Sequence, residues 1–210
     1  MDISRHPLLM QSHEVSLAIE SIPGCAEQTV ASQKANALTQ AINDAIFTIP
    51  AIGQPWPKQG GVNAGLIRGE NGKPDYYLII ATDDAGKTDR IEYGGYESET
   101  EGANSEFDGL ANTTALLKSG TDHPAASWAA GVIIEGHNDF YLPARREQSL
   151  MYANCPELFN DVWHWSSTQY SAGNAWVQDF EDGYQDVDSK DCRYAARAVR
   201  RYYPLTNSTI

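Results

Sequence analysis

Between residues 163 and 200 the chain places Trp163, Trp165 and Trp176, three of its five tryptophans, among turn-forming Gly, Asn, Asp and Ser residues. Large aromatics spaced by turn residues favour short twisted strands joined by tight turns over a helix. The stretch runs Trp163-His164-Trp165-Ser166-Ser167-Thr168, then Ala175-Trp176 and Phe180-Glu181-Asp182-Gly183-Tyr184, and closes on Arg197-Ala198-Val199-Arg200. It predicts an aromatic-anchored core under irregular loops, and loops held by a rigid scaffold suit recognition.

Upstream, Val30, Ala37, Leu38, Ala41, Ile42, Ala45 and Ile46 recur three or four residues apart. That spacing predicts an amphipathic helix of about six turns from Ala26 to Phe47. Its narrow, Ala-rich stripe fits either close helix-to-helix approach in a small homo-oligomer or packing on the chain's own domain. Pro50, Gly53, Pro55 and Pro57 then read as an extended linker. The expected organisation is an N-terminal attachment or oligomerisation segment with its linker over 1–59, one domain over 60–203 and a tail over 204–210.

Inside that domain, strand-like runs near 62–68 and 75–81 flank Asn71-Gly72, a strong hairpin signal. Residues 82–109 read as acidic surface loop around a short strand at Arg90 to Tyr93. Helices are expected at Ala111 to Lys118, Ala125 to Ala130 and Arg145 to Ala153. His137 sits in a turn-like setting as a solvated histidine, not a ligand.

Charge narrows the partners: 15 Lys and Arg against 28 Asp and Glu give −13. Such a chain is repelled by phosphate backbones and anionic membranes, so nucleic acid is not an expected partner. No run of about 18 apolar residues exists, and no basic segment followed by an apolar block opens the chain, so neither membrane insertion nor secretion is expected. Cys25, Cys155 and Cys192 form no CxxC pair. They read as free buried thiols in preference to a Cys155–Cys192 bridge.

One pattern is familiar. Asn138-Asp139-Phe140-Tyr141-Leu142-Pro143-Ala144-Arg145-Arg146-Glu147, then Trp165-Ser166-Ser167-Thr168, Ala175-Trp176 with Phe180 and Gly183, and Arg197-Ala198-Val199-Arg200 together resemble the Lcl-type C-terminal domain family. That family has a C-type-lectin-like fold and occurs in adhesins and bacteriophage tail proteins. Gly60-Gly61-Val62-Asn63-Ala64-Gly65-Leu66-Ile67-Arg68-Gly69-Glu70 looks like the version carried by phage tail and receptor-binding proteins. The resemblance implies an α+β fold: a C-type-lectin-like domain of short twisted antiparallel strands and a few helices, preceded by the amphipathic helix, with its last loops as a display surface. Two positions depart from the family. Ala144 stands where a threonine often caps a helix, a loss of about 1 kcal/mol unless another group substitutes. Ala198 stands where a cysteine is common, so no disulfide or thiol role carries over.

For chemistry, Trp165 and Trp176 are expected in the core. Tyr170, Asn174, Asp179, Glu181, Asp182, Tyr184, Gln185 and Asp186 are the candidate receptor-binding residues, since Tyr gives contact area at low entropic cost and amides and acids give adaptable hydrogen bonds. The carboxylates Asp179, Glu181, Asp182, Asp186, Asp188 and Asp191 lack a calcium-loop spacing, as do Asp83, Asp84 and Asp89, so no metal or other cofactor is expected. Ser166 and Ser167 lack a GxSxG setting and read as backbone-bonding serines beside His164, so no catalytic residues are expected. Arg145, Arg146, Arg193, Arg197, Arg200 and Arg201 are expected in internal ion pairs or inter-subunit contacts. The expected function is that of a phage tail-tip or tail-fibre protein, assembled in a host cytoplasm into the virion. As a homotrimer it binds a bacterial surface receptor, glycan or protein, alongside other tail proteins. The alternative is a structural baseplate or tail subunit.

Overall fold

The structure, a computed structural model, describes residues 30–39 and 49–204. The chain divides into two compact units, Met1–Thr48 and Ile49–Ile210. In the first, residues 30–39 form helix α1, whose residues are all exposed, Val30 and Leu38 included. The remainder of the helix expected over 26–47 lies outside the described residues, as do Cys25 and the tail beyond Pro204.

The second unit is α+β. Strands β1 (Pro55–Trp56), β2 (Gly61–Ile67), β3 (Tyr76–Ala81) and β9 (Val199–Tyr202) make a four-stranded antiparallel sheet in the order β1-β2-β3-β9. Strands β4 (Lys87–Glu92), β5 (Trp163–Gln169), β6 (Asn174–Asp179), β7 (Gln185–Ser189) and β8 (Arg193–Arg197) make a five-stranded sheet in the order β4-β8-β5-β6-β7. Only the β5–β8 pairing there is parallel. Helices α2 (Gly109–Lys118), α3 (Pro124–Ala130) and α4 (Arg145–Asn154) fall at the expected places. Asn71 and Gly72 both take positive φ, 53° and 78°, in a tight turn that Lys73 N closes on Glu70 O (3.0 Å) inside the longer connection from Ile67 to Tyr76.

The linker reading of 49–59 needs correction. These residues belong to the second unit, and Pro55–Trp56 is an edge strand on β2. Proline fits an edge strand, whose outer side has no ladder to complete. Trp56 then supplies the burial that a proline-rich stretch was expected to lack, its ring buried between Tyr77 at 5.7 Å and Tyr202 at 4.6 Å.

Two apolar cores result. One joins Tyr93, Leu116, Ala125, Ala129, Leu142, Trp165, Val177 and Ala196, so the five-stranded sheet is covered by α2 and α3. The other joins Val62, Leu78, Ile80, Met151, Cys155, Phe159, Phe180 and Val199, so the four-stranded sheet is covered by α4. Each fully buried aliphatic side chain in them contributes about 1.5–3 kcal/mol. The cores are stitched where β8 leaves one sheet and β9 enters the other. There Ala198 donates its N–H to Gly86 O (2.9 Å) and accepts from Ala81 N (3.0 Å).

Helix α4 starts without a hydroxyl on Ala144, yet the missing cap is replaced from outside. Thr168 Oγ1 on β5 accepts the Arg145 N–H (3.0 Å), and Glu147 Oε2 accepts the Ala144 N–H (2.7 Å). Glu147 is fully buried, and its Oε1 also accepts from Tyr76 (2.6 Å), Tyr141 (2.7 Å) and Arg201 (3.1 Å). Burial pushes this carboxyl above its ordinary range, against the pull of Arg201 and the two phenols.

Five of the six arginines make internal ion pairs: Arg145 and Arg146 with Glu106, Arg193 with Glu92, Arg200 with Asp139, and Arg201 with Asp108 and Glu147. Arg197 differs, donating to the backbone oxygens of Ala81 (3.1 Å) and Leu158 (2.5 Å). His137 is half-buried, its Nε2 on Lys58 O at 2.9 Å, so it braces a turn where free solvation was expected.

Two outcomes follow for stability. Glu147→Ala leaves Arg201 and two phenols with a buried vacancy and costs about 3–5 kcal/mol in urea unfolding. His164 packs edge-on against the stacked rings of Phe159 and Phe180, and burial lowers its imidazole to about 4. Between about pH 6.5 and 4 the unfolded chain takes up a proton that the folded chain refuses, so stability falls as pH drops through that window, by about 3 kcal/mol in total. Urea midpoints from pH 7 to 4 measure this, and His164→Phe flattens the slope.

Candidate recognition surface

The eight candidate residues sit at the two ends of one strand. Tyr170 and Asn174 belong to the β5–β6 turn. Asp179, Glu181, Asp182, Tyr184, Gln185 and Asp186 belong to the β6–β7 turn and its exit. Because β6 runs antiparallel to both neighbours, these turns are separated by its whole length, about 16 Å at 3.3 Å per residue. They form two surfaces, not one.

At the β5–β6 end the turn is cross-braced. Tyr170 and Ser171 both donate their N–H to Asn174 O at 3.0 Å, and Ser171 Oγ accepts from Asn174 N at 3.1 Å. Tyr170 is 61% exposed and meets Trp176 edge-on at 5.7 Å. Trp176 itself corrects the expectation of a core position. It lies partly exposed on the sheet face turned away from Ala175 and Val177, with the Arg145 guanidinium 3.5 Å from its ring centroid. Strand alternation explains this, since Ala175 and Val177 take the inward positions and Trp176 must point the other way. Trp165 is in the core as expected, fully buried with Nε1–H donating to Ile91 O at 2.9 Å.

At the β6–β7 end Tyr184 is 59% exposed and packs edge-on against Trp163 at 6.2 Å. The acids around it cap their own backbone. Asp179 Oδ1 accepts from Glu181 N (2.9 Å), Asp182 Oδ1 from Tyr184 N (2.8 Å) and Asp186 Oδ1 from Val187 N (2.8 Å). The Asp179 and Asp182 contacts are Asx turns, which fix loop shape. Asp188 accepts from Ser189 N (2.7 Å) and from the Tyr194 hydroxyl, and Asp191 from Ser189 Oγ (2.5 Å). Among the described residues no three His, Cys, Asp or Glu side chains gather as a metal cage requires.

Gln185 is the candidate whose side chain is most committed internally. Its Oε1 accepts from Arg145 Nε (2.8 Å), and its Nε2 lies 2.9 Å from Arg145 O and 2.7 Å from Gln178 Oε1. It ties the β6–β7 hairpin to α4. Ser166 and Ser167 are buried, Ser166 Oγ donating to Trp176 O at 2.9 Å. Burial pushes the free Cys155 thiol up to about 11, and the Cys192 thiol, also free, is shifted the same way.

One exposed aromatic escapes a reading of the last hundred residues. Tyr96, 51% exposed, stands on the loop after β4 and reaches the β5–β6 turn, where its Cε2 lies 3.8 Å from the point a Gly173 side chain would occupy. The sequence signal for it is the Gly94-Gly95 pair, which announces a tight turn presenting the next side chain. A cavity of about 900 Å³ has Lys73, Glu99, Thr100, Asp108, Lys118 and Tyr203 in its wall. Three of its charges already hold the fold, Lys73 and Arg201 both pairing with Asp108.

No protein-family model and no curated protein matches the chain. Among the described residues no helix is long and apolar enough to cross a membrane. For the hairpin, Gln185→Ala removes hydrogen bonds to α4 and is expected to cost about 1–2 kcal/mol in urea unfolding, while the adjacent Asp186→Ala stays within about 0.5 kcal/mol of the parent.

Proposed function

We propose that the chain is a non-enzymatic receptor-binding protein of a bacteriophage tail tip or fibre, its C-terminal unit being a C-type-lectin-like domain of the Lcl type. The observation that carries this reading is the pair of turns at the ends of β6, each presenting a tyrosine more than half exposed from a braced backbone. Tyrosines with few rotatable bonds on rigid turns, flanked by Asn, Ser and Asp, are the composition of a paratope. The acidic charge of −13 favours a receptor that is not itself strongly anionic.

In this reading Tyr170, Asn174, Asp179, Glu181, Asp182, Tyr184 and Asp186 contact the receptor, and Gln185 positions the second turn. The exposed apolar residues of α1, Val30 and Leu38, support self-association of the N-terminal segment, with a homotrimer as the proposed state in the virion. Three copies of a weak site raise avidity without new contacts.

The test is competition. Purified chain binds cells of the bacterium that the parent virion infects and blocks adsorption of the virion. The double variant Asp182→Ala/Tyr184→Ala keeps its fold and loses most of that block. A chain that binds no cells and instead co-purifies with other tail components would replace this reading by a structural baseplate or tail role.

A further inference from the structure

The β5–β6 turn has a partner that its own strands do not supply. After β4 the backbone takes three left-handed residues within four positions, Gly94 (φ 86°), Gly95 (φ 65°) and Glu97 (φ 62°). Glycine is required at the first two. A side chain on Gly94 would meet Asp122 O at 2.4 Å, and one on Gly95 would meet His123 Cε1 at 2.3 Å. Glu97 has no such excuse, and a non-glycine residue held at positive φ is strain that its surroundings must impose.

The surroundings are a set of buried polar anchors. Lys190 is fully buried, and its Nζ donates to Ser98 O and to Gln169 Oε1, both at 2.8 Å. The same Gln169 Oε1 accepts the Thr100 N–H at 2.9 Å, and Thr100 Oγ1 meets buried His123 at 3.2 Å. The Lys190 backbone completes the clasp, its N–H donating to Gly173 O (2.9 Å) and its carbonyl accepting from Gly94 N (3.1 Å). One residue therefore fixes both the Tyr96 loop and the β5–β6 turn. An ammonium buried on neutral acceptors is costly, and burial lowers Lys190 to about 8. The cost is intelligible if the relative position of loop and turn matters.

What stands on this clasp is aromatic, and the charges exposed beside it on the Tyr96 loop, Glu97 and Glu99, are both acidic. Tyr96 and Tyr170 are each more than half exposed, and Ser171, Gly173 and half-buried Asn174 lie with them. The nearby cations are committed. Arg145 pairs with Glu106 and stacks on Trp176, and Lys190 is internal. The platform therefore has no cation for a phosphate, sulfate or uronate, and the chain's charge of −13 repels an anionic polymer. Phenol rings held rigidly beside neutral donors and acceptors fit the apolar C–H face and the hydroxyls of an uncharged sugar.

We propose that Tyr96 joins Tyr170 and Asn174 in a platform, clasped by Lys190, that binds a neutral pyranose-rich glycan of the cell surface. This rests on the receptor-binding reading and assigns it a ligand class and a contact residue from outside the β5–β7 region.

The test uses the intact chain and receptor-bearing cells. Oligosaccharides are released from those cells by mild acid and separated on an anion exchanger into neutral and anionic fractions. The neutral fraction competes for cell binding, and periodate, which cleaves vicinal diols, destroys that competition. Tyr96→Ala weakens binding by about tenfold or more, while Tyr96→Phe, which keeps the ring, stays within about threefold. Cell binding that survives periodate treatment but is lost when the cells are treated with protease would overturn the glycan proposal and leave receptor binding standing. So would competition by the anionic fraction alone, or a Tyr96→Ala variant that binds like the parent while Asp182→Ala/Tyr184→Ala does not. A parent chain that binds no cells would remove both readings together.

Discussion

Glu147 takes hydrogen bonds from β3 through Tyr76, from the segment before α4 through Tyr141 and Ala144 N, and from β9 through Arg201. Removed from water, such a carboxylate is tolerable only when its acceptor sites are filled, and each donor is correspondingly committed to one geometry. Arg201 extends the tie to Asp108 at the start of α2, and Asp108 to Lys73 in the β2–β3 turn. Four separate elements are thereby fixed relative to α4. The helix in turn holds β5 through Gln148, whose amide donates to Trp165 O at 2.9 Å, and β7 through Gln185. The two turns at the ends of β6 add their own backbone bracing to the support they take from this chain of contacts.

A second buried charge works differently. Glu147 is paired with a guanidinium, whereas Lys190 has no carboxylate partner and rests on a carbonyl, an amide oxygen and the face of Tyr93. The first arrangement unites sheets and helix across the fold. The second fixes one loop against one turn, at the edge of the sheet where the exposed tyrosines stand. Both are expensive relative to an apolar core. Specifying a single arrangement is the property they share.

The sequence reveals most where the signal is local. Asn71-Gly72 gives the β2–β3 hairpin because its two positive φ angles are a requirement of the turn itself. Trp165 in the core, the three helices of the second unit and the internal ion pairs of five arginines are legible from residue type and spacing. What is not legible depends on contacts between distant residues. Trp56 was hidden by its prolines, since the partners that bury it, Tyr77 and Tyr202, come from elsewhere in the chain. The replacement cap on α4 comes from Thr168, and no rule about Ala144 could name it. Trp176 was misplaced because a motif position says that a residue is constrained without saying which side of the strand it faces. The sequence marks the candidate residues only as one stretch of chain. Only strand direction shows that Tyr170 and Tyr184 lie at opposite ends of β6, and only the fold brings Tyr96 to the first of them.

The proposed recognition role requires the scaffold to hold the turns of β6, and the loop that meets them, in fixed positions. Amide hydrogen exchange of the intact chain, with and without surface material extracted from receptor-bearing cells, tests it most directly. The account predicts added protection over residues 94–99, 170–174 and 179–186, with the strands beneath already slow to exchange in the free chain. Protection confined to the α2 and β9 face around Leu110 and Tyr203, or fast exchange throughout β5 and β6 in the free chain, would contradict it.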